Sequence, residues 1–312
     1  MSSTSDYVLV IGAAGIDIKA RPFEPLKPGA DNLGIVRNSV GGVARNVAEN
    51  LGRLEVPTVL ISAVGEDEPG RRILKQTRSH GVNCRYVRRL AGETTANHVA
   101  ILTPEADLDH AVSDFNIISY IDADYLRTYK RLFSRARLVV VDANLSDETL
   151  ATVFELAAEH GVRVCADPTS PTLASRLCPY LDRLYLVTPN AAETSVMCGI
   201  EHSAYDHDTA IDAARALVAL GVEIAVVTLG EAGLAYADSN GGGYIGAMRT
   251  DVVDSTGAGD AFTGAMIFGL LNGVPVDEAM RLGVTAASLT LQTTETVVSN
   301  LSQELLYARL IV

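Results

Sequence analysis

Residues 251–264 read DVVDSTGAGDAFTG, and the chain runs on to Gly273 with apolar side chains at 261, 262, 265, 266, 268, 270 and 271. That spacing covers much of a helix surface and predicts a helix buried on most sides, beginning at the glycines. Gly257 and Gly259 have no β-carbon, so their amides can approach a ligand closely. The first amides of a helix lack intrahelical partners, and the helix dipole there favours negative charge. The place suits an anion, yet an acid, Asp260, stands inside it. Two readings fit. In one, Asp254 or Ser255 caps the helix and Asp260 merely favours the dipole. In the other, the amides hold a migrating phosphoryl group while Asp260 takes the proton of an attacking hydroxyl. The second also explains why the glycines alternate around Asp260.

The remaining sequence excludes the commonest phosphate-handling motifs. A P-loop needs Gly-Lys, which is absent, and the four lysines are Lys19, Lys27, Lys75 and Lys130. The lysine, H-R-D and D-F-G elements of a protein kinase are missing. VLVIGAAGIDI (8–18) offers only G-x-x-G where a dinucleotide fold needs G-x-G-x-x-G. Charge on a bound nucleotide therefore falls to backbone amides, arginine and a metal ion.

Composition bounds the partners. Over 312 residues, 48% hydrophobic content implies a substantial core. No apolar run approaches the ~20 residues of a membrane span, and MSSTSDY lacks a charged-then-apolar export signal. Cys84, Cys165, Cys178 and Cys198 form no C-x-x-C pair, so reduced thiols and a cytoplasmic location are expected. A net charge of −13 argues against nucleic acid or an anionic membrane as partner.

Along the chain, apolar strand candidates at 7–11, 58–64, 138–143, 162–167, 184–188 and 224–230 alternate with amphipathic helix candidates at 41–54, 67–81, 146–161 and 207–221. This order predicts a mostly parallel sheet covered on both faces. Residues 17–40 and 85–120 break the rhythm and read as strands of a small lid. In parallel sheets, ligands bind beyond the carboxyl ends of the strands. Asp17, Asn144, Asp167, Asn190, Thr228 and Gly230 all fall at such ends. In TPNAAET, Asn190 and Glu193 stand three apart at a helix start, which fits either a capping box or a magnesium site reached through waters.

As a set these residues resemble a known family. DSTGAGDAFTGA (254–265) resembles the carboxy-terminal signature of the ribokinase-like carbohydrate kinases. GGVARNVAENLGRL (41–54) is similar to that family's di-glycine helix, and TPNAAET (188–194) to its N-x-x-E motif. The resemblance runs over almost the whole chain. It implies a single domain, 1–312, folded as a three-layer α/β/α sandwich with a small β-sheet lid, using ATP and Mg2+ on a small sugar or nucleoside. It also implies Asp260 as general base and the amides of Gly257, Ala258 and Gly259 as anion hole. Sugar hydroxyls would meet Asp17, Gly42, Asn46 and Asn144; the nucleotide would meet Thr228 and Gly230; Asn190 and Glu193 would organise Mg2+. Asp254 and Thr256 match positions that bind a monovalent cation such as K+ in some members. A homodimer through the lid is a further expectation.

Within the family, SVGGVARNVAENLGRL (39–54), SDFNIISYIDADYL (113–126) and VVVDANLSDETL (139–150) are most similar to the members that phosphorylate pseudouridine. Lid candidates for reading the base are Thr94, Thr95, Asn97, Asp114 and Asn116. One position departs: many members carry Asn two residues before the sugar-binding Asp, where this chain has Gly15. The alternatives are phosphorylation of ribose, a purine nucleoside or a hexose phosphate, the last drawing on Arg45, Arg88 and Arg89, or nucleoside binding without turnover.

Overall fold

The structure is a computed structural model that describes residues 7–199 and 207–310; most of the MSSTSDY start lies outside them. In chain order, β1 (Tyr7–Ile11), β2 (Gly15–Pro22) and β3 (Gly34–Gly41) lead into helix α1 (Val43–Arg53). Then follow β4 (Thr58–Gly65), α2 (Glu68–Ser79), β5 (Val82–Leu90), β6 (Ala96–Leu102), β7 (Leu108–Asp114) and α3 (Ala123–Thr128). The middle of the chain forms β8 (Ala136–Asp142), α4 (Asp147–His160), β9 (Val164–Asp167), α5 (Pro171–Ala174), β10 (Leu184–Val187) and α6 (Ala191–Cys198). The rest forms α7 (His207–Ala219), β11 (Ile224–Thr228), β12 (Leu234–Asp238), β13 (Gly241–Ile245), α8 (Ala258–Leu271), α9 (Val276–Leu291) and α10 (Gln303–Ala308).

The main sheet has nine strands in the order β13-β12-β11-β10-β9-β8-β1-β4-β5, parallel from β11 to β5 and antiparallel at the β11-β12-β13 edge. Alternation along its strands builds two cores. Leu9 and Ile11 of β1, with Val139 and Val141 of β8, pack under α3, α4 and α7. Val8 and Val10, with Leu138 and Val140, pack under α1, α2, α8 and α9 on the other face. The result is the three-layer arrangement expected from alternating strands and helices. The expected apolar strands lie at its centre, where burial on both faces requires continuous hydrophobicity.

A second, four-stranded sheet has the order β3-β2-β6-β7. Residues 85–90, expected in the lid, instead continue β5 along β4 at the edge of the main sheet. The reason is visible in VNCRYVRRL: only Val82, Cys84 and Val87 are buried, so this edge strand carries the half-polar alternation of a lid strand. Residues 116–120 form a 3₁₀ turn rather than a strand.

Candidate active site

Helix α8 starts from a turn that only glycine can make. Gly257 is its N-cap at φ 83°, and a β-carbon there would come within 2.1 Å of the Thr296 carbonyl oxygen. The Ala258 amide makes only a long 3.4 Å contact to the Ser255 carbonyl, and among the described residues the amides of Gly257 and Gly259 meet no backbone acceptor. A β-carbon at Gly259 would meet nothing within 4 Å, so the space beside that residue is open.

Asp260, on the first turn, is buried and accepts a 2.6 Å hydrogen bond from Asn46 Nδ2. The Asn46 amide is held in that sense because its Oδ1 accepts from Arg45. Arg45 is itself wholly buried, paired with Glu49 and donating to the Val40 carbonyl and Thr296 Oγ1. Burial pushes the Asp260 carboxyl up to about 7, against the lowering pull of the Asn46 bond; neighbouring Asp17 raises it further and Arg45 lowers it. A carboxylate poised there is matched to taking a proton at neutral pH.

The ends of β1, β2 and β8 converge on the same place. Asp17 is buried on β2, and Gly41 makes room for it, since a β-carbon at 41 would lie 2.2 Å from the carboxylate. Burial raises Asp17, with His98, Arg45 and Lys19 opposing. Gly42 caps α1 at φ 92°, where a β-carbon would come within 2.6 Å of Ala13 O and Ala14 Cα. Asp142, at the end of β8, accepts from the amides of Ala13 (2.8 Å) and Ala44 (3.0 Å) and from the amide (3.0 Å) and Nδ2 (3.1 Å) of Asn144. It thus pins β1, the start of α1 and Asn144 to one point. Asp142 lies in the quoted stretch VVVDANLSDETL, but the sequence reading singled out Asn144 there, because an acid ending an apolar strand shows no partner in sequence.

Across the sheet, Asn190 and Glu193 form a complete capping box at α6: Asn190 Oδ1 accepts from the Glu193 amide at 2.9 Å, and Glu193 Oε2 from the Asn190 amide at 2.8 Å. The box uses only Oε2 of Glu193, a buried group whose carboxyl burial pushes up. Thr228 bridges to Asn190 at the end of β11, and Gly230, at φ 59°, faces open space. Asp167, also at a strand end, is held well above the usual carboxylate range by burial and by nearby Asp260 and Glu193. Among the described residues no three acidic, His or Cys side chains come together as a metal site.

A cavity of about 440 Å³ lies between the small sheet and the loop before α8, with Asp17, Lys19, Arg37, Ser39, Asp254 and Glu295 among its walls. Strand register corrects the base-reading candidates. Asp17 pairs with Ser39 and His98, and His98 with Ser113, so these four share one side of the sheet, and Asp17 and Ser39 also line the cavity. Asn97 and Asp114 pair with each other and take the opposite side. Thr95 is buried, with its hydroxyl donating to Asp67 at 2.5 Å and accepting from the Gly65 amide at 2.9 Å. Asn116 is exposed at the start of the 3₁₀ turn, and Thr94 is exposed. None of the five candidates shares the Asp17 face of the paired strands. His98 does, its Nδ1 2.8 Å from Ser113 Oγ, and nothing in the sequence marked it beyond its place in the lid stretch 85–120.

Residues 5–303 match the family described as pfkB family carbohydrate kinase. The chain belongs to that family. It is an ATP-dependent sugar or nucleoside kinase. Pseudouridine kinase of Escherichia coli K12 is 32% identical over 290 residues, covering 92% of this chain and 90% of the relative. Guanosine-inosine kinase of Exiguobacterium acetylicum is 29% identical, covering 92% and 95%. Ribokinase of Arabidopsis thaliana, solved with ribose and ATP, superposes with TM-score 0.86 at 24% identity over 99% of this chain and 100% of that one, a likeness of fold.

Three further details bear on sequence-based expectations for this pfkB-family chain. At Gly15 a β-carbon would lie 2.8 Å from the Ala96 carbonyl, so the close pairing of β2 with β6 leaves no room for the Asn of other members. The arginines considered for a sugar phosphate are each committed to a partner within the chain. Arg45 is buried on Glu49, Arg88 donates to the Tyr120 carbonyl at 2.7 Å, and Arg89 faces Glu66 at 4.0 Å. Finally, Asp254 and Thr256 do not present an open monovalent-cation site, because the Lys19 ammonium is bonded to both side chains.

Proposed function

We propose that this kinase transfers the γ-phosphoryl group of ATP to the 5′-hydroxyl of pseudouridine, giving pseudouridine 5′-phosphate and ADP. The observation that carries the chemistry is Asp260, oriented by Asn46 at 2.6 Å beside unpartnered amides at the start of α8. The observation that favours this acceptor is the 32% identity to a pseudouridine kinase across nine-tenths of both chains.

Asp260 accepts the proton of the 5′-hydroxyl, whose oxygen bonds to the γ-phosphorus as the bond from phosphorus to the ADP oxygen breaks. The amides of Gly257, Ala258 and Gly259 hold the charge that builds on the transferring group. Asp17, Asn46, Asn144 and the backbone at Gly42 hold ribose hydroxyls and aim the 5′-oxygen. Thr228 and Gly230 seat the nucleotide, with Asn190 and Glu193 ordering the water shell of its magnesium. ATP with magnesium supplies the phosphoryl group and offsets its charge. The side of the small sheet bearing Asp17, Ser39, His98 and Ser113 faces the acceptor, and we read this sheet as a lid on one catalytic domain spanning 1–312. Its opposite face exposes Val36 (69%) and Val112 (72%), which supports a homodimer through the lid. A cytoplasmic setting fits the four free cysteines.

The test is kcat/KM for pseudouridine against uridine, guanosine, adenosine, ribose and fructose 6-phosphate under identical conditions, read as ADP release. Pseudouridine is expected to give the highest value. A higher value for any competitor replaces the substrate and leaves the kinase intact.

A further inference from the structure

Lys19 stands on β2 two residues after Asp17, on the same side of the small sheet, and its ammonium crosses to the loop ahead of α8. There it is bonded to both oxygens of the Asp254 carboxylate, Oδ2 at 2.5 Å, and to the Thr256 hydroxyl. The same carboxylate accepts the Thr256 amide at 2.9 Å, and the amides of Val253 and Asp254 reach the Leu291 carbonyl at 2.7 and 3.3 Å. The turn that delivers Gly257 and the anion-hole amides is therefore assembled around one positive charge. Both partners are mostly shielded from water: the side chains of Lys19 and Asp254 are 19% and 21% exposed.

We infer that the Lys19 ammonium is a built-in monovalent cation, so that phosphoryl transfer by this chain needs no added K+. The physical requirement at this loop is a single positive charge held by carboxylate and hydroxyl oxygens. It cancels Asp254, whose bare charge beside the transferring phosphoryl group would oppose it, and it holds the turn in the shape that aims the amides. A primary ammonium meets that requirement with three N–H donors, matched here by three oxygens. An ion from solution must be concentrated at the site, whereas a tethered group is present at an effective concentration of order mM or above. The inference rests on phosphoryl transfer at Asp260 and not on which acceptor is used. Lys19 acts here as a positioning residue, through the turn.

Three arms test it. The first replaces K+ and Na+ by choline at constant ionic strength, using whichever nucleoside or sugar the wild type phosphorylates best. Wild-type kcat is expected to stay within about twofold, well inside the effect of losing an anion-hole donor. The second uses Lys19→Ala, which removes the charge and leaves space. In choline its kcat should fall by about ten- to a hundredfold, less than loss of a direct anion-hole donor, and K+ or NH4+ should restore most of it. The third needs no turnover: Tm of Lys19→Ala should rise with K+ relative to choline, and wild-type Tm should not. Wild type activated severalfold by K+ overturns the inference, as does folded Lys19→Ala that is fully active in choline or that no small cation rescues. If Lys19→Ala does not fold, Lys19→Gln takes its place, and the wild-type arm decides alone if both fail. A wild type inactive on every acceptor would count against the proposed function, while the melting arm still judges the cation.

Discussion

Asn46 Nδ2 lies 2.6 Å from Asp260 Oδ2, joining the first turn of α1 to the first turn of α8 across 214 residues of sequence. The bond fixes the orientation of the carboxylate, and it favours the ionised form of a group that burial disfavours.

Asp260→Asn should lower turnover by about 10²–10⁴-fold, the usual worth of a positioned proton acceptor. Nucleotide affinity should change little, because the amides of Gly257, Ala258 and Gly259 remain. Steady-state kinetics with a nucleotide-binding titration checks both, and near-normal turnover would remove Asp260 from the mechanism.

The pH profile follows from the sign of the shift. Asp260 works as a base when ionised and its carboxyl is raised to about 7, so kcat/KM should fall tenfold per pH unit below that value and level off above it. Asn46→Ala removes a bond that lowers this value, so the acid limb should move to higher pH. A profile flat down to pH 5 in wild type would contradict the assignment.

Glu193→Gln keeps the side-chain oxygen that accepts from the Asn190 amide while removing a charge. If Glu193 orders the water shell of magnesium, the variant should need more magnesium for half-maximal rate at saturating ATP. If capping is its whole role, the magnesium titration will overlay that of wild type.

Asp142→Ala strips the acceptor from two amides that close the ends of β1 and α1. Leaving buried N–H groups unpaired costs about 1–3 kcal/mol each, so a loss of about 3 kcal/mol or more is expected in urea unfolding. The KM for the acceptor should rise more than kcat falls, because Asn144 loses its anchor. Unchanged stability would mean the amides find other partners.

Val112→Glu places a charge on the exposed side of the small sheet. Light scattering should show a dimer for wild type and a monomer for the variant. A monomeric wild type would remove the lid contact.

The sequence by itself determined the layered fold and the centre of the site, because both rest on local patterns. Continuous apolar strands between amphipathic helices have few solutions other than a covered parallel sheet, and the glycines around Asp260 mark a helix start wherever it is placed. The resemblance to the family also pointed to Asp17, Asn46 and Asn144, and the structure brings Asn46 and Asp17 beside Asp260. What only the tertiary structure decided depends on which side of a strand a residue takes and on who meets it from far along the chain. Asn97 and His98 are neighbours, yet the pleat sends them to opposite faces, and only the pairing with Asp17 shows which one shares its side of the sheet. Residues 85–90 carried a lid strand's alternation because the edge of a covered sheet is also half exposed. Lys19 reads locally as a solvated lid residue; its partner Asp254 is 235 residues away, and the ion pair exists only because the small sheet folds over the glycine turn.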